Sequence, residues 1–441
     1  PIYMGICQSG DLMNMSNALY AWEGLKQLDF FLDLDLWHTP TSQLADILLP
    51  VRHWLEVDCV RTSQGCGGHE GCHCKTVEPL GETWFDVDVI IQLAKACGIP
   101  WHPGAETDEE KWPDSIKDLD AAVARYADLI ADYPGDSAWE KFKSYFQEQG
   151  MQDCKKLQPD TWGTYRRYET GIKVGSQNIG GGGVTFGAPG LGTPTKKQEI
   201  WCTKLETVHT PEHPFYGQDI DHYSRPDSKS GDQFDKIGPF TLPTYTEPPE
   251  GPVANPEYVT EYPFIMTTGR RIPVYFHSEH RQLPWCREQW PVPRVEINPA
   301  DAAELGIEQG DWVWIETPRH KIRQVADLYY GIRPGTINCE HQWWMPEFHG
   351  ATKGLDLVNV NTLVNKDLRD PICGSSYARA YNVNIYKATA ENSPNGNPVP
   401  CDVDGTEMIY TSDDPRLKEW LPVYDNEESQ KNYAERNGVQ L

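Results

Sequence analysis

Two groups of residues in this chain have the types and spacing for chemistry. The first is Cys59, Cys66, Cys72 and Cys74, with His69 and His73 among them. These are soft ligands for zinc or an iron–sulfur cluster, and Gly65, Gly67, Gly68 and Gly71 would let the chain wrap a metal. The spacing is irregular and holds no paired C-x-x-C, so the sequence favours a thiol-rich loop without a metal. The second group lies further along. Arg270, Arg271 and Arg281 offer forked donors for phosphate oxygens, and His277 and Gln282 can meet the edges of a ring. Gly269 and Gly374 permit close backbone approach, and Asn361 presents both a donor and an acceptor. Together these suit a large nucleotide-type cofactor. The plainer alternative is that the arginines pair with surface carboxylates and the glycines only turn the chain.

A third, weaker signal sits near the start. Asp35 ends an apolar strand, well downstream of Gly10, which is where an acidic residue often binds a ribose hydroxyl in a βαβ unit. No full G-x-G-x-x-G accompanies it. Thr39, Pro40 and Thr41 would line the same edge.

The elements that must position these residues are legible in outline. Ile2–Cys7 reads as a strand, Met15–Lys26 as a helix, Asp29–Leu34 as a second strand and Ile47–Pro50 as a third. A helix is expected over Phe85–Cys97, with Val87, Ile90, Ile91 and Ala94 as its apolar face and Gly98 as its stop. The polar stretch from Pro103 to about Pro113 reads as a linker. Ile116, Leu119, Ala122, Val123, Tyr126, Leu129 and Ile130 recur at helical spacing and predict one amphipathic helix. From Tyr133 to Pro256 the chain is rich in Gly, Pro, Tyr and Trp, which predicts long excursions packed on other domains.

Beyond this the texture changes to short strands. Phe264–Thr268, Val295–Ile297, Trp312–Glu316, Ile322–Ala326 and the Pro334-Gly335 turn into Thr336-Ile337 alternate with turn signals. Asn298-Pro299 is an N-cap followed by proline at the first helical position, and that helix should end at Gly306. Several short strands with one buried helix predict a closed or nearly closed barrel between Phe264 and Tyr386. Trp343 and Trp344, beside Glu340, His341 and Glu347, form an aromatic and acidic strip; buried tryptophans with satisfied indole N–H groups are its plain reading, and His341 as a proton carrier is the sharper one.

Bulk properties exclude several classes. At 441 residues the chain has room for two or three domains. Its 39 Lys and Arg against 65 Asp and Glu give a net charge of −26, which disfavours nucleic acid and anionic membranes, although an anionic ligand can still be held by a local Arg/His cluster. No apolar run is long enough for a transmembrane helix, so no membrane insertion is expected. The chain opens on Pro1 directly before a strand, without a basic or signal-type segment, so its start reads as cut and leaves the compartment open.

The run Asn298-Pro299-Ala300-Asp301-Ala302-Ala303-Glu304-Leu305-Gly306-Ile307, followed by Gly310-Asp311-Trp312-Val313, resembles the C-terminal dinucleotide-binding barrel of the molybdopterin oxidoreductase family, also called the dimethyl sulfoxide reductase superfamily. Thr268-Gly269-Arg270, His277-Ser278-Glu279-His280-Arg281-Gln282, Asn361-Thr362-Leu363 and Asp370-Pro371-Ile372-Cys373-Gly374 stand where that family contacts a bis(molybdopterin guanine dinucleotide) cofactor. Asp33-Leu34-Asp35-Leu36-Trp37-His38-Thr39-Pro40-Thr41 and Ala45-Asp46-Ile47-Leu48-Leu49-Pro50 resemble the family's third domain, where such an acid and threonine lie near the guanosine. Gly10-Asp11 departs from the family's usual Asn-Pro. Gly81-Glu82-Thr83-Trp84 and Thr193–Glu199 echo its connecting motifs.

The resemblance implies a fold and a function. The fold would be α/β plus all-β: a partial Rossmann-like domain at 1–103, a helix with a Gly/Pro-rich excursion at 104–260, and the cofactor barrel with a tail at 261–441. The cofactor would carry molybdenum or tungsten, bound through Gly10, Asp35, Thr39, Thr268, Gly269, Arg270, Arg271, His277, Arg281, Gln282, Asn361, Asp370, Gly374, Tyr377 and Arg379. Tyr377 and Arg379 also suit plain packing and surface roles. The metal's own protein ligand and an iron–sulfur cluster would lie in a missing N-terminal half of the same enzyme, and an iron–sulfur electron-transfer subunit is an implied partner. The reaction would be two-electron or oxygen-atom transfer. Within the family, the His277–Gln282 region looks most like the branch of acetylene hydratase and aromatic hydroxyl-transferring or dehydroxylating enzymes. A reading of another class is a non-catalytic docking module with a structural zinc in the Cys/His loop.

Overall fold

The computed structural model describes residues 2–8, 10–62, 69–100, 104–112, 118–150, 152–153, 172–174, 177–179, 199–201, 247–270, 272–368, 376–402, 404–411 and 414–416. Arg271, Asp370, Gly374 and Cys66 lie outside them, as do Pro371 to Cys373 and most of Thr193–Glu199.

The α/β part is built on three parallel strands in spatial order β1 (Met4–Gln8), β2 (Phe30–Asp35), β3 (Ile47–Pro50). The helix Ala18–Leu25 makes the first crossover, started by Asn17, whose side chain accepts the Tyr20 N–H. Cys7 stands opposite Asp33, and Leu34 opposite Leu49. In β2 the four consecutive residues Phe31, Leu32, Asp33 and Leu34 are all buried, as expected of a central parallel strand covered on both faces.

The helix Asp86–Ala96 covers one face, with the predicted Ile91 buried but Val89 turned inward in place of Val87 and Ile90. Val89 packs with Leu32, Leu34 and Val51, with Leu93 beside it, whereas Val87 and Ile90 are exposed. Val87, Val89, Ile90, Ile91 and Leu93 crowd two turns of this helix, so periodicity alone leaves its orientation open, and packing on Leu32, Leu34 and Val51 selects the side of Val89 and Leu93.

A small mixed unit follows. The hairpin of β4 (Cys59–Thr62) and β5 (His69–His73) is extended by β6 (Gln152–Asp153), and a separate two-stranded ribbon joins β7 (Ile172–Val174) to β8 (Gln177–Ile179). The single helix expected over 116–130 is instead broken into Leu119–Val123, a 3-10 turn Ala124–Tyr126, and Ala127–Ile130. The kink lets Tyr126 meet Phe142 with ring centroids 5.2 Å apart. Phe142 belongs to a helix, Ala138–Gln149, in a stretch whose composition predicts only excursions. Ser137 caps its start by accepting the Glu140 N–H, Gly150 ends it, and Trp139, Phe142, Tyr145 and Phe146 form its buried face. High aromatic content hid a helical stripe at i, i+3, i+6 and i+7.

The remainder is a closed barrel of β9 (Phe264–Arg270), β10 (Arg294–Ile297), β11 (Trp312–Glu316), β12 (Lys321–Leu328), β13 (Thr336–Glu340) and β14 (Tyr381–Lys387), in the order β10-β12-β11-β14-β9-β13. Its interior is filled by Met266, Val295, Ile297, Val313, Ile315, Ile322, Ile337, Val383 and Ile385, each almost without exposed surface. The helix Pro299–Glu304 plugs one end through Ala302, with Asn298 accepting the Ala300 N–H as predicted for the cap. Met13 and Ala18 pack with Trp344 and Leu355, so the α/β part shares a core with the segment that follows β13. Among the described residues no helix is long and apolar enough to cross a membrane.

Candidate functional site

The carboxyl ends of β1 and β2 carry a row of acids. Asp11 caps the turn after β1, accepting the Met13 N–H at 3.2 Å, and takes the Thr41 hydroxyl at 2.5 Å. Thr41 in turn accepts the Met13 N–H at 3.2 Å, which ties the loop after β1 to the loop after β2. Thr39 is buried in a reciprocal turn with Ser42: each backbone N–H donates to the other's hydroxyl, at 2.9 and 3.1 Å. One oxygen of Asp35 accepts the Leu36 and Trp37 N–H groups at 2.6 and 3.1 Å. The Gly10 carbonyl accepts the Cys7 thiol at 3.0 Å, and a side chain at Gly10 would meet Cys7 at ordinary contact distance.

Beneath this row Asp33 has no exposed surface. Burial, then the charge of Asp35, raises its carboxyl to about 6, and burial beside Asp33 raises the Cys7 thiol to about 12. Burial likewise raises Asp35, and the charges of Asp11 and Glu279 add to it. Glu279 belongs to the barrel side. The α/β edge and the loop after β9 therefore face one another.

That loop is shaped with some strain. His277 and His280 both have positive φ, 51° and 74°, a region that side chains other than glycine seldom occupy outside constrained sites. Arg281 holds the loop from within. Only 2% exposed, its guanidinium donates to the carbonyls of His277 and Glu279 through Nη1 and of His341 through Nη2. It lies 4.7 Å from each of the Tyr275 and Trp343 ring centres. Burial pulls its pKa down to about 10, opposed by Tyr275, Glu340 and Asp11. His277 Nδ1 then stands 3.3 Å from His341 Nε2, and His341 Nδ1 stands 3.1 Å from the Arg270 carbonyl.

Arg270 is also spent inside the protein. It pairs with Asp327 at 2.5 Å and lies 3.5 to 3.6 Å from Glu340 and Glu296. Glu340 is buried and receives the indole N–H groups of Trp290, at 2.9 Å, and Trp343, at 2.8 Å. Burial still lifts its carboxyl to about 7, against the opposing pull of Arg270. Trp344 donates to the Ser278 carbonyl at 2.9 Å. Both tryptophans are thus buried and satisfied, and both position the loop that carries His277.

The other expected contacts are spread more widely. Thr268 donates to the Ala378 carbonyl at 2.6 Å, Gly269 faces open space apart from the Thr267 hydroxyl, and Arg379 is exposed. The Tyr377 carbonyl accepts the Tyr381 hydroxyl. Asn361 is nearly buried in the turn Val360–Thr362, its N–H given to Asn359. Cys72 on β5 and Cys74 just past its end stand together, Cys59 stands opposite His73, and no group of three or more metal-ligating side chains converges among the described residues. Sequence reasoning missed Asp33 and Cys7, whose only signal was a polar residue and a thiol inside two strands that must be buried. An apolar cavity of about 400 Å³ between β3 and the helix Asp86–Ala96 is lined by Leu49, Trp84, Val89 and Leu93, away from these acids.

The residues suit a ligand with ring donors and anionic groups. Gln282 Oε1, Arg281 Nε and Arg270 Nη1 are buried and have no hydrogen-bond partner among the described residues. Buried donors and acceptors of this kind are costly unless a ligand or water meets them.

Residues 264–381, which span the barrel up to the start of β14, match the family model described as Molydopterin dinucleotide binding domain. Dopamine dehydroxylase of Eggerthella lenta is 46% identical over 96% of this chain and 42% of its own length. Acetylene hydratase of Syntrophotalea acetylenica is 26% identical over 78% of this chain and 37% of its own length. The solved acetylene hydratase from Pelobacter acetylenicus superposes with a TM-score of 0.58 over 88% of this chain and 44% of that one, at 23% identity, which establishes a shared fold. The chain thus spans less than half the length of these relatives. Residues 264–381 thus match a molydopterin dinucleotide binding domain, and the chain has homologues among the molybdopterin oxidoreductases of the dimethyl sulfoxide reductase family.

Proposed function

We propose that this chain holds the guanine dinucleotide ends of a bis-pterin cofactor, carrying molybdenum or tungsten, in an enzyme that removes a hydroxyl group from an aromatic ring. The observation that carries the reaction class is the 46% identity to a dopamine dehydroxylase along nearly the whole chain. Such a reaction takes up two electrons and two protons, replaces the C–O bond by C–H and releases water. The metal-bearing cofactor supplies the two-electron chemistry when bound.

The chain's own residues bind and orient. In this reading Asp35, at the end of β2, accepts from the guanosine, while Gln282 Oε1 and the His277 ring meet pterin donors. Asn361, Thr268, Gly269, Tyr377 and Arg379 line the remainder. Arg281 and Arg270 act one step removed, by fixing the His277–Gln282 loop and the end of β9. The metal's protein ligand, the iron–sulfur cluster and an electron-transfer subunit belong to other parts of such an enzyme.

A non-redox hydratase is the second reading, favoured by the 26% identity to acetylene hydratase of Syntrophotalea acetylenica over 78% of this chain. Two measurements on the complete protein separate the readings. Reduced viologen should be oxidised only when a catechol-type substrate is added, one equivalent of dehydroxylated product appearing per two electrons; turnover without viologen oxidation would reject dehydroxylation. The double variant His277→Ala, Gln282→Ala should release markedly less pterin nucleotide on denaturation than the parent. Equal release would reject the binding assignment.

A further inference from the structure

The Cys72–Cys74 pair takes no part in the site above. Residues two apart on a strand face the same way, and here the two sulfurs stand 3.5 Å apart in a thiol–thiol contact. Both side chains are half-buried and neither is bonded to another cysteine. Their backbone is unevenly held. Cys72 pairs with Val60 in the ladder, which ends one residue later where His73 pairs with Cys59, so Cys74 lies just past the last rung. The chain is caught again immediately afterwards, where the Lys75 N–H donates to Asp58 at 3.0 Å and the Thr76 N–H to the Leu55 carbonyl at 2.8 Å. Cys74 thus sits on a short span between two anchors, free of the ladder and still aimed at Cys72.

We propose that Cys72 and Cys74 are a redox site that closes to a reversible disulfide by exchange with a small-molecule disulfide. Closing the bond needs the sulfurs to approach by roughly 1.5 Å, a movement the span past the ladder can supply. Cys72 is held in the ladder opposite Val60, whereas Cys74 lies past its last rung and can move, so Cys74 is the first nucleophile. Its thiolate attacks one sulfur of the reagent and displaces a small thiolate, which takes up a proton. Cys72 then gives its proton to solvent and attacks Cys74 Sγ, displacing the second small thiolate. One disulfide is broken and one formed; two protein thiols are oxidised by two electrons and the reagent is reduced to two thiols.

The ring so formed encloses a single residue, so chain entropy adds little to its stability and the bond stays easy to reduce, as suits a switch. Its effect would be local. Cys72 packs against the cluster built from Val123, Tyr126 and Phe142, and His73, the enclosed residue, lies 5.5 Å from the Trp54 ring. Oxidation would draw Cys74 toward Cys72 and re-aim His73, between them, on Trp54.

The test uses the complete protein, reduced and then equilibrated with glutathione disulfide, blocked with N-ethylmaleimide and mapped by mass spectrometry. The peptide holding both cysteines should lose maleimide labelling at both positions, weigh two hydrogens less than its reduced form, and recover with dithiothreitol. Cys72→Ser and Cys74→Ser should each leave glutathione on the remaining cysteine. The wild-type mapping requires no variant to fold. Persistent labelling of both cysteines, a stable glutathione adduct in the wild type, or a bond from either to a different cysteine would each overturn the proposal.

Discussion

The guanidinium of Arg281 lies 4.7 Å from the ring centre of Trp343, with Tyr275 at the same distance. A buried arginine held between two rings, its N–H groups given to backbone carbonyls, is a structural cation. Arg281→Lys keeps the charge and loses the planar fork, so it should destabilise the protein by about 2 to 3 kcal/mol. Chemical denaturation of the complete protein measures this. An unchanged midpoint would mean that the loop is held by other contacts.

Glu340 gives a pH dependence with a definite sign. Its carboxyl rises from 4.5 to about 7 in the folded protein, so between those values the folded state binds more protons than the unfolded chain. The group's contribution is fully present below pH 4.5 and is lost as pH rises through about 7. Its full span is at most about 3 kcal/mol. Glu340→Gln should therefore flatten the fall in thermal midpoint across this interval; an identical slope in parent and variant would exclude Glu340 as its source.

Arg287 and Glu347 form a forked pair at 2.8 and 3.0 Å, with Arg287 only 3% exposed. Removing one partner leaves the other charge buried, so Glu347→Ala should destabilise by about 3 kcal/mol. Arg287→Met with Glu347→Leu should restore much of that loss, as read by denaturant titration of the two variants side by side. A double variant no better than the single would show that the backbone contacts of Arg287 matter more than the pair.

Asp35 tests the nucleotide end separately from the pterin end. Asp35→Asn keeps the shape and an acceptor oxygen, removes the charge, and can still accept the Leu36 and Trp37 N–H groups. In the complete protein it should lower the guanine nucleotide recovered on acid release, with an unchanged thermal midpoint in the cofactor-free form. Full recovery of nucleotide would remove Asp35 from the binding set.

The sequence by itself determined what is local. Trp312–Glu316 and Ile47–Pro50 are strands at the residues their patterns predict, and Asn298-Pro299 opens the helix it should, because side-chain alternation, turn residues and caps act over a few positions. The motifs around 268–282 and 298–313 also sufficed for the resemblance that the family match then bore out. Tertiary structure decided the rest. Which side of Asp86–Ala96 is buried depends on the groove over β2, and β14 closes the barrel by pairing Tyr381 with Met266, a partner supplied from far along the chain. The arginines show the limit best. Nothing in the residue type says whether a forked cation meets a ligand or its own protein; the Trp343 ring beside Arg281 and the carboxylates around Arg270 decide that, and both come from segments that only folding brings near.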